Sequence, residues 1–236
     1  MRKFYGFAVL LMALTGSSAL AAGGMGQIFF GANAGIVTTD QEDMNELKSR
    51  ANARDTVSAS DLKNAWELGF ELGYRFAGSM FAVSLRPSYF TQSTDGSGTS
   101  GSYKYSVSGF SVFPMFRIYP LESDLMRFYM QMGLGYGMAT GKIREASASA
   151  DFSGTGYGSM VGLGAEFLIS DTHSLGVEGN MRYLSFERNT VDSRAGTFAT
   201  DSLSQSGADQ EVELDGRDFK TTMTGIVIMA RYVFYY

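Results

Sequence analysis

The chain contains no cysteine, one histidine and only three prolines. Without cysteine it has no disulfides, no thiolate metal centre and no thiol-linked lipid anchor. The single histidine, His173, sits in the short polar stretch SDTH, where it reads as a solvated turn residue. A histidine-based triad cannot be assembled elsewhere. Basic charge is scarce as well. Lys and Arg number 19 against 24 Asp and Glu, a net charge of −5, which argues against a nucleic-acid partner. Also missing is any apolar run of the ~20 residues that a membrane-spanning helix requires. The longest, FYGFAVLLMAL (4–14), follows Arg2 and Lys3 and precedes Ala19-Leu20-Ala21. That is the layout of a cleaved secretory signal over residues 1–21, with residues 22–236 as the mature domain.

What the sequence does have is strict alternation. In NAWELGFELGYRF (64–76), Trp66, Leu68, Phe70, Leu72, Tyr74 and Phe76 share one face, opposite Glu67, Gly69, Glu71, Gly73 and Arg75. The segments 27–37, 80–90, 105–119, 125–138, 157–169 and 174–186 repeat the pattern. So does the C-terminal segment, in which Ile226, Ile228, Ala230, Tyr232, Phe234 and Tyr236 oppose Val227, Met229, Arg231 and Val233. A period of two over ten or more residues excludes an amphipathic helix. It exceeds the usual soluble strand and matches strands tilted across a bilayer. Short connections (77–79, 120–124, 170–173) alternate with long polar ones (39–62, 91–104, 141–155, 189–217). The expected fold is therefore all-β, a transmembrane antiparallel up-and-down barrel of eight strands. Short turns face the periplasm and long loops the exterior. Ten strands would result if the 189–217 loop paired with itself.

With its leader, eight amphipathic segments and a last strand closing on Tyr232, Phe234 and Tyr236, the chain resembles the small outer-membrane β-barrels of Gram-negative bacteria. The likeness is to the OmpA/OmpX type, as a barrel domain without a peptidoglycan-binding domain. The resemblance implies export to the outer membrane, contact with its lipid and lipopolysaccharide, and a terminal strand read by the assembly machinery. It also implies a barrel that acts as a monomer.

The face opposite the apolar one carries Glu67, Glu71, Glu166 and Glu178 with Arg75, Arg86, Arg117, Arg127, Arg182 and Arg231. An eight-stranded barrel is only just wide enough for side chains, so these groups must pair with one another or with water. Arg75, Arg117, Arg127, Glu166, Glu178 and Arg231 lie near the short turns and are expected to ring the periplasmic mouth. Two functional readings remain open. In one, the network plugs the lumen and the protein serves a structural or surface-interaction role through its acidic loops. In the other, the excess of arginine lines a narrow porin-like channel for small solutes, with the inward glycines leaving it room. A third is a carrier of small apolar molecules through a lateral gap. Enzyme activity is not expected. Glu67 and Glu71 stand on one strand face as partners for arginine rather than as a hydrolytic carboxylate pair, and nothing in the residues calls for a cofactor.

The long loops hold two further features. TDQEDMNELKSRA (39–51) reads as a short extracellular helix, with Thr39 and Glu42 as a capping box and Met44 and Leu47 one turn apart. DQEVELDGRD (209–218) has the acid spacing of a calcium loop from Glu211. It lacks the final bidentate acid and flanking helices, so it fails as an EF-hand. As a strand extension, Asp209, Glu211, Glu213 and Asp215 would share a face and form a weak cation patch.

Overall fold

The computed structural model describes residues 26–203 and 209–236; the leader expected over residues 1–21 lies outside them. The elements run β1 (Gln27–Thr38), α1 (Glu42–Asp55), β2 (Asn64–Arg75), β3 (Phe81–Gly98), β4 (Gly101–Glu122), β5 (Met126–Glu145), β6 (Ala148–Leu168) and β7 (His173–Phe186). They continue with β8 (Asn189–Ala195), β9 (Glu213–Leu214), β10 (Arg217–Asp218), β11 (Thr221–Thr222) and β12 (Gly225–Tyr235). Eight of the strands, β1–β7 and β12, close into one antiparallel ring. The closing seam pairs β1 with β12 from Phe29 opposite Tyr235 to Thr38 opposite Ile226. The 189–217 segment adds no strand to the ring. Instead β8 pairs with Ser149–Gly154 of β6, above the point where β6 leaves β7. Pro87 and Pro114 each leave a short gap in one ladder, with β2 and β5 respectively, because proline offers no N–H.

The alternation places the apolar faces outward, where Trp66, Leu68, Phe70, Met130, Leu134, Leu163 and Ile228 are each more than 60% exposed. So large an apolar surface is a lipid face. On β4 it runs from Ile118 to Phe110. Beyond Phe110 the same strand keeps its phase and reverses its polarity: Ser108, Ser106 and Lys104 point out, while Val107, Tyr105 and Tyr103 are buried inside. The same reversal occurs on β5 above Met138 and on β6 above Tyr157. It marks the upper boundary of the bilayer, because outside lipid the ordinary rule of burying apolar groups returns.

This reversal corrects the reading of 91–104 and 141–155 as loops. Both are strand extensions, joined by two-residue connections at 99–100 and 146–147. Their inward residues Tyr103, Tyr105, Ile143, Ala150 and Phe152 join Phe186, Val191, Phe198, Val212, Leu214 and Phe219 in a core that stands above the membrane.

The helix α1 lies on that core, burying Met44, Leu47 and Ala51 at the spacing of one helical face. Its start is not the capping box expected. The N-cap is Gln41, with no side-chain cap bond. Thr39 is tied instead to the β1–β2 hairpin, its N–H donating to Lys63 O at 2.9 Å. The Gln41 amide reaches across to β11, donating to Thr222 O at 2.6 Å and accepting from Thr222 N at 3.1 Å. Tertiary bonds here replace the local cap. The helix ends at Thr56, in the left-handed region at φ 55°, whose N–H returns to Asn52 O.

Candidate functional site

Six strands aim ionisable groups into the lower lumen. Glu71 comes from β2, Arg86 from β3, Arg117 from β4, Glu166 from β6, Glu178 from β7 and Arg231 from β12, and none is more than 3% exposed. Arg117 donates to Glu71 at 2.8 Å. Arg86 reaches Glu178 at 3.0 Å and Glu71 at 3.2 Å. Arg231 donates to Glu166 at 3.0 Å and also binds Glu71. Glu71 thus receives three guanidinium groups and a hydroxyl, Ser84 Oγ at 2.5 Å.

Neutral partners complete the shell. The Tyr129 hydroxyl donates to Glu178 at 2.8 Å and accepts from Arg231 at 2.6 Å, while its ring lies under the Arg117 guanidinium, 4.2 Å away. Tyr235 binds Glu166. Gln131 accepts from Arg117 at 2.8 Å and donates to Asn180 at 2.6 Å. Charge-assisted bonds among mutually satisfied partners are the condition on which such groups tolerate burial.

A second tier stands higher. Arg182 donates to Glu67 Oε1 at 2.9 Å and to the Met223 carbonyl at 2.8 Å. Between the tiers the buried polar residues are Asn33, Ser88, Ser111 and Asn180, with Ser88 and Ser111 sharing a 2.9 Å bond. Asn33 is buried with neither amide atom partnered.

The ten inward charged residues separate by depth, and of the six expected to ring the periplasmic mouth only Arg75 and Arg127 do so, while Arg117, Glu166, Glu178 and Arg231 are buried in the lower lattice. Eight form the two buried tiers, four arginines with four glutamates. Arg75 and Arg127 do not join them. They sit at the periplasmic mouth around Glu122, at 2.8 Å and 2.6 Å, and lie over the rings of Tyr119 and Tyr235. Glu122 was missed because it falls in the segment read as a turn, although it stands opposite Arg127 in the β4–β5 register. The arginine excess belongs to the mouth and not to the lumen.

The inward glycines do not leave open space. A Cβ at Gly73 would collide with the ring of Phe29, at Gly164 with Tyr129, at Gly135 with Phe113, at Gly141 with Phe152 and at Gly109 with Phe90. Each ring comes from a neighbouring strand, and Phe29–Gly73 and Tyr129–Gly164 are direct register partners. The glycines make the notch and the aromatics fill it.

The extracellular cap holds groups that the sequence reading did not single out. Asp55, at the end of α1, accepts from Tyr103 at 2.6 Å, Arg54 at 2.7 Å and Ser100 at 2.9 Å. These bonds hold its carboxyl below the usual range, Tyr103 contributing most. Glu145 accepts from Tyr105 at 3.0 Å, Ser202 at 2.7 Å and Arg54 at 3.3 Å. Arg217 pins α1 from β10 through Asp43 and Glu46, both at 2.5 Å.

The four acids of 209–218 do not share a strand face. Asp209 and Asp215 are in left-handed conformation in turns, and only Glu213 lies within a strand. Asp215 is held by Arg50 at 3.0 Å, which keeps its carboxyl low, and Glu211 lies 3.8 Å from Arg188. Among the described residues no three potential ligands cluster as a metal site would need. His173 is not free in a turn either. It opens β7, with Nδ1 2.6 Å from the Tyr232 hydroxyl and its ring packed on Tyr232 and Phe234. Tyr232 and Tyr236 face outward at the lower edge of the lipid face.

A closed eight-stranded ring with a lipid-facing exterior, short turns at one end and a charge-filled lumen defines a small outer-membrane barrel. The chain belongs to the outer membrane protein β-barrel domain family, whose model matches residues 7–208, and this places it in the outer membrane of a Gram-negative cell. No curated protein sequence matches it. In fold it is similar to the outer membrane protein OprG from Pseudomonas aeruginosa, with TM-score 0.54 and 14% identity over 91% of this chain and 98% of that one. The attachment invasion locus protein Ail of Yersinia pestis also matches, with TM-score 0.31 and 13% identity over 91% of this chain and 99% of that one.

Proposed function

We propose that this protein is a closed barrel with a structural or surface-interaction role in the outer membrane, and that it neither conducts solutes nor catalyses a reaction. One observation carries the reading: the interior is filled twice. The lower half holds the paired lattice centred on Glu71, and the upper half holds an apolar core beneath α1. Opening a path would mean separating several buried ion pairs at once, and stranding one buried charge alone costs about 3–5 kcal/mol. On this reading the work falls to the extracellular cap and its exposed acids. Residues 1–21 are the cleaved leader, residues 22–236 act as a monomeric barrel, and Tyr232, Phe234 and Tyr236 on the closing strand are what the assembly machinery recognises.

Single-channel recording in a planar bilayer tests this, with the refolded protein beside an Arg182→Ala variant and insertion verified independently. The expected result is silence from the parent. The competing reading, a narrow porin-like channel, has one observation in its favour: Asn33 and Arg182 Nη2 leave unpartnered polar atoms inside the lumen. Discrete steps in the parent that grow in the variant would replace the plugged reading with that one.

A further inference from the structure

β11 and β12 face β7 in one register, with Thr222 opposite Ser185 and Gly225 opposite Arg182. That register sets Met223 against Leu184, where a continuous antiparallel ladder exchanges two bonds between the facing residues. Only one of the two is made, from Met223 N–H to Leu184 O at 2.9 Å. The other is replaced at both of its ends. Leu184 N–H donates to Thr224 Oγ1 at 3.0 Å, and the Met223 carbonyl accepts from Arg182 Nε at 2.8 Å. The Met223 carbonyl therefore has two donors within its reach, one from the β7 backbone and one from the lumen, and the Thr224 hydroxyl occupies the first.

The residue just before this break is held from the cap. Gln41, wholly buried at the start of α1, donates to Thr222 O at 2.6 Å and accepts from Thr222 N at 3.1 Å. Its amide also donates to Gln92 at 3.2 Å. On the other side of the break, Arg182 donates through Nη1 to Glu67 at 2.9 Å. A line of buried hydrogen bonds thus runs from the helix through Thr222 and Met223 to the upper charge pair of the lumen. Apart from Met44, Leu47 and Ala51, the remaining fastenings of α1 are ion pairs with a part-exposed partner: Arg217 with Asp43 and Glu46, Arg50 with Asp215, and Arg54 with Asp201. Such pairs each contribute little, so the helix is the weakly fastened end of the line.

We infer that the Met223 carbonyl is a two-position switch that couples the extracellular helix to the Arg182–Glu67 pair. With α1 in place, Gln41 holds Thr222, and the carbonyl stays on Arg182. With α1 lifted, β11 and β12 run on as one strand and Leu184 N–H takes the carbonyl. The Thr224 hydroxyl turns to solvent, and Arg182 is left on Glu67 alone. The buried backbone groups at the break are satisfied in both positions, which is what lets two discrete arrangements compete. Contact made with the cap from outside is read inside the barrel by this route. The inference concerns the linkage and does not rest on whether the lumen is closed.

The test uses the full chain in lipid nanodiscs, with solvent exchange of the Arg182 Nε–H and of the Leu184 amide followed by NMR at fixed pH. Folding of each variant is verified by heat-modifiable gel mobility. Thr224→Val removes the hydroxyl that occupies Leu184 N–H, and Gln41→Ala removes the hold on Thr222. In both, the Arg182 Nε–H is expected to exchange about tenfold faster while the Leu184 amide stays protected, because the carbonyl has changed donors. Thr224→Ser keeps the hydroxyl and is expected to match the parent. So is Arg54→Ala, which loosens the far end of α1 and leaves Gln41 on Thr222. An Arg182 Nε–H that exchanges at the parent rate in both Thr224→Val and Gln41→Ala would overturn the proposal. Loss of protection at Leu184 together with Arg182 would overturn it too, since that is local unfolding and not a change of partner. An equal effect from Arg54→Ala would replace the switch with a general loosening of the cap.

Discussion

Arg182 and Glu67 meet 2.8 Å apart where the lumen changes from polar to apolar, and water reaches neither side chain. Asn33 and the lattice lie on the side of the short turns, while Phe90, opposite Glu67 in the β2–β3 register, and Met223, whose carbonyl Arg182 binds, belong to the buried apolar core. Arg182 also ties the cap to the barrel by donating to the Met223 carbonyl. Replacing it by alanine strands the Glu67 carboxylate in a dry site, a change expected to cost about 3–5 kcal/mol. The Arg182→Leu/Glu67→Leu pair, which removes both charges, is expected to recover most of that loss. Urea unfolding of the two variants in lipid vesicles measures the difference. A double variant as unstable as the single one would show that the pair acts through packing and not through charge.

Tyr129, though neutral, joins three charged members of the lattice. Its hydroxyl bridges Arg231 and Glu178, its ring supports Arg117, and its edge fills the Gly164 notch. Tyr129→Phe keeps the ring and deletes the bridge, so its cost is that of buried partners left unsatisfied, about 1–3 kcal/mol. Tyr129→Ala also empties the notch and is expected to cost more, about 3–5 kcal/mol in total. Equilibrium unfolding distinguishes the two; equal costs would mean that the hydroxyl alone matters.

The glycine–aromatic notches predict position-dependent effects for one substitution. Gly164→Ala drives a methyl group into Tyr129 and Gly73→Ala into Phe29, each expected to destabilise by about 1–3 kcal/mol through overpacking. Gly179, on the outer face of β7, has nothing within 4 Å of where its Cβ would stand. Gly179→Ala is therefore expected to be neutral or stabilising by about 0.4–1 kcal/mol. A loss at Gly179 equal to that at Gly164 would refute the packing explanation.

Much of the ring was legible because alternation depends only on the strand period. Trp66, Leu68 and Phe70 announce a lipid face wherever their neighbours sit. The upper half was harder. Tyr103, Tyr105 and Val107 alternate as regularly as Phe110, Val112 and Phe116, but with polarity reversed, and the Ser, Thr and Gly residues around them carry the composition of a loop. Tyr103 and Tyr105 were the available signal, since two rings at a spacing of two in a polar segment call for a buried face. Which charges pair was not legible at all. Arg231 meets Glu71 and Glu166 because ring closure and register bring β12, β2 and β6 to one level, and no local pattern records that.

The cap gives the pH dependence. Tyr103, Arg54 and Ser100 hold Asp55 below its ordinary range, and Arg50 does the same for Asp215. A carboxyl whose folded pKa lies below its unfolded value near ~3.9 contributes stability that is full above that value. The contribution is lost as pH falls through the folded pKa. The hold on α1 is therefore expected to be level from neutral pH down to about pH 5 and to weaken only below about pH 4. Hydrogen exchange resolved over residues 42–55 reads this directly, with the β2 amides as the internal reference. Asp55→Asn, which keeps the shape but removes the charge, is expected to bring the faster α1 exchange to neutral pH and leave β2 protected. Faster exchange beginning near pH 6 in the parent would point instead to a group titrating there. It would remove Asp55 and Asp215 as the fastening of the helix.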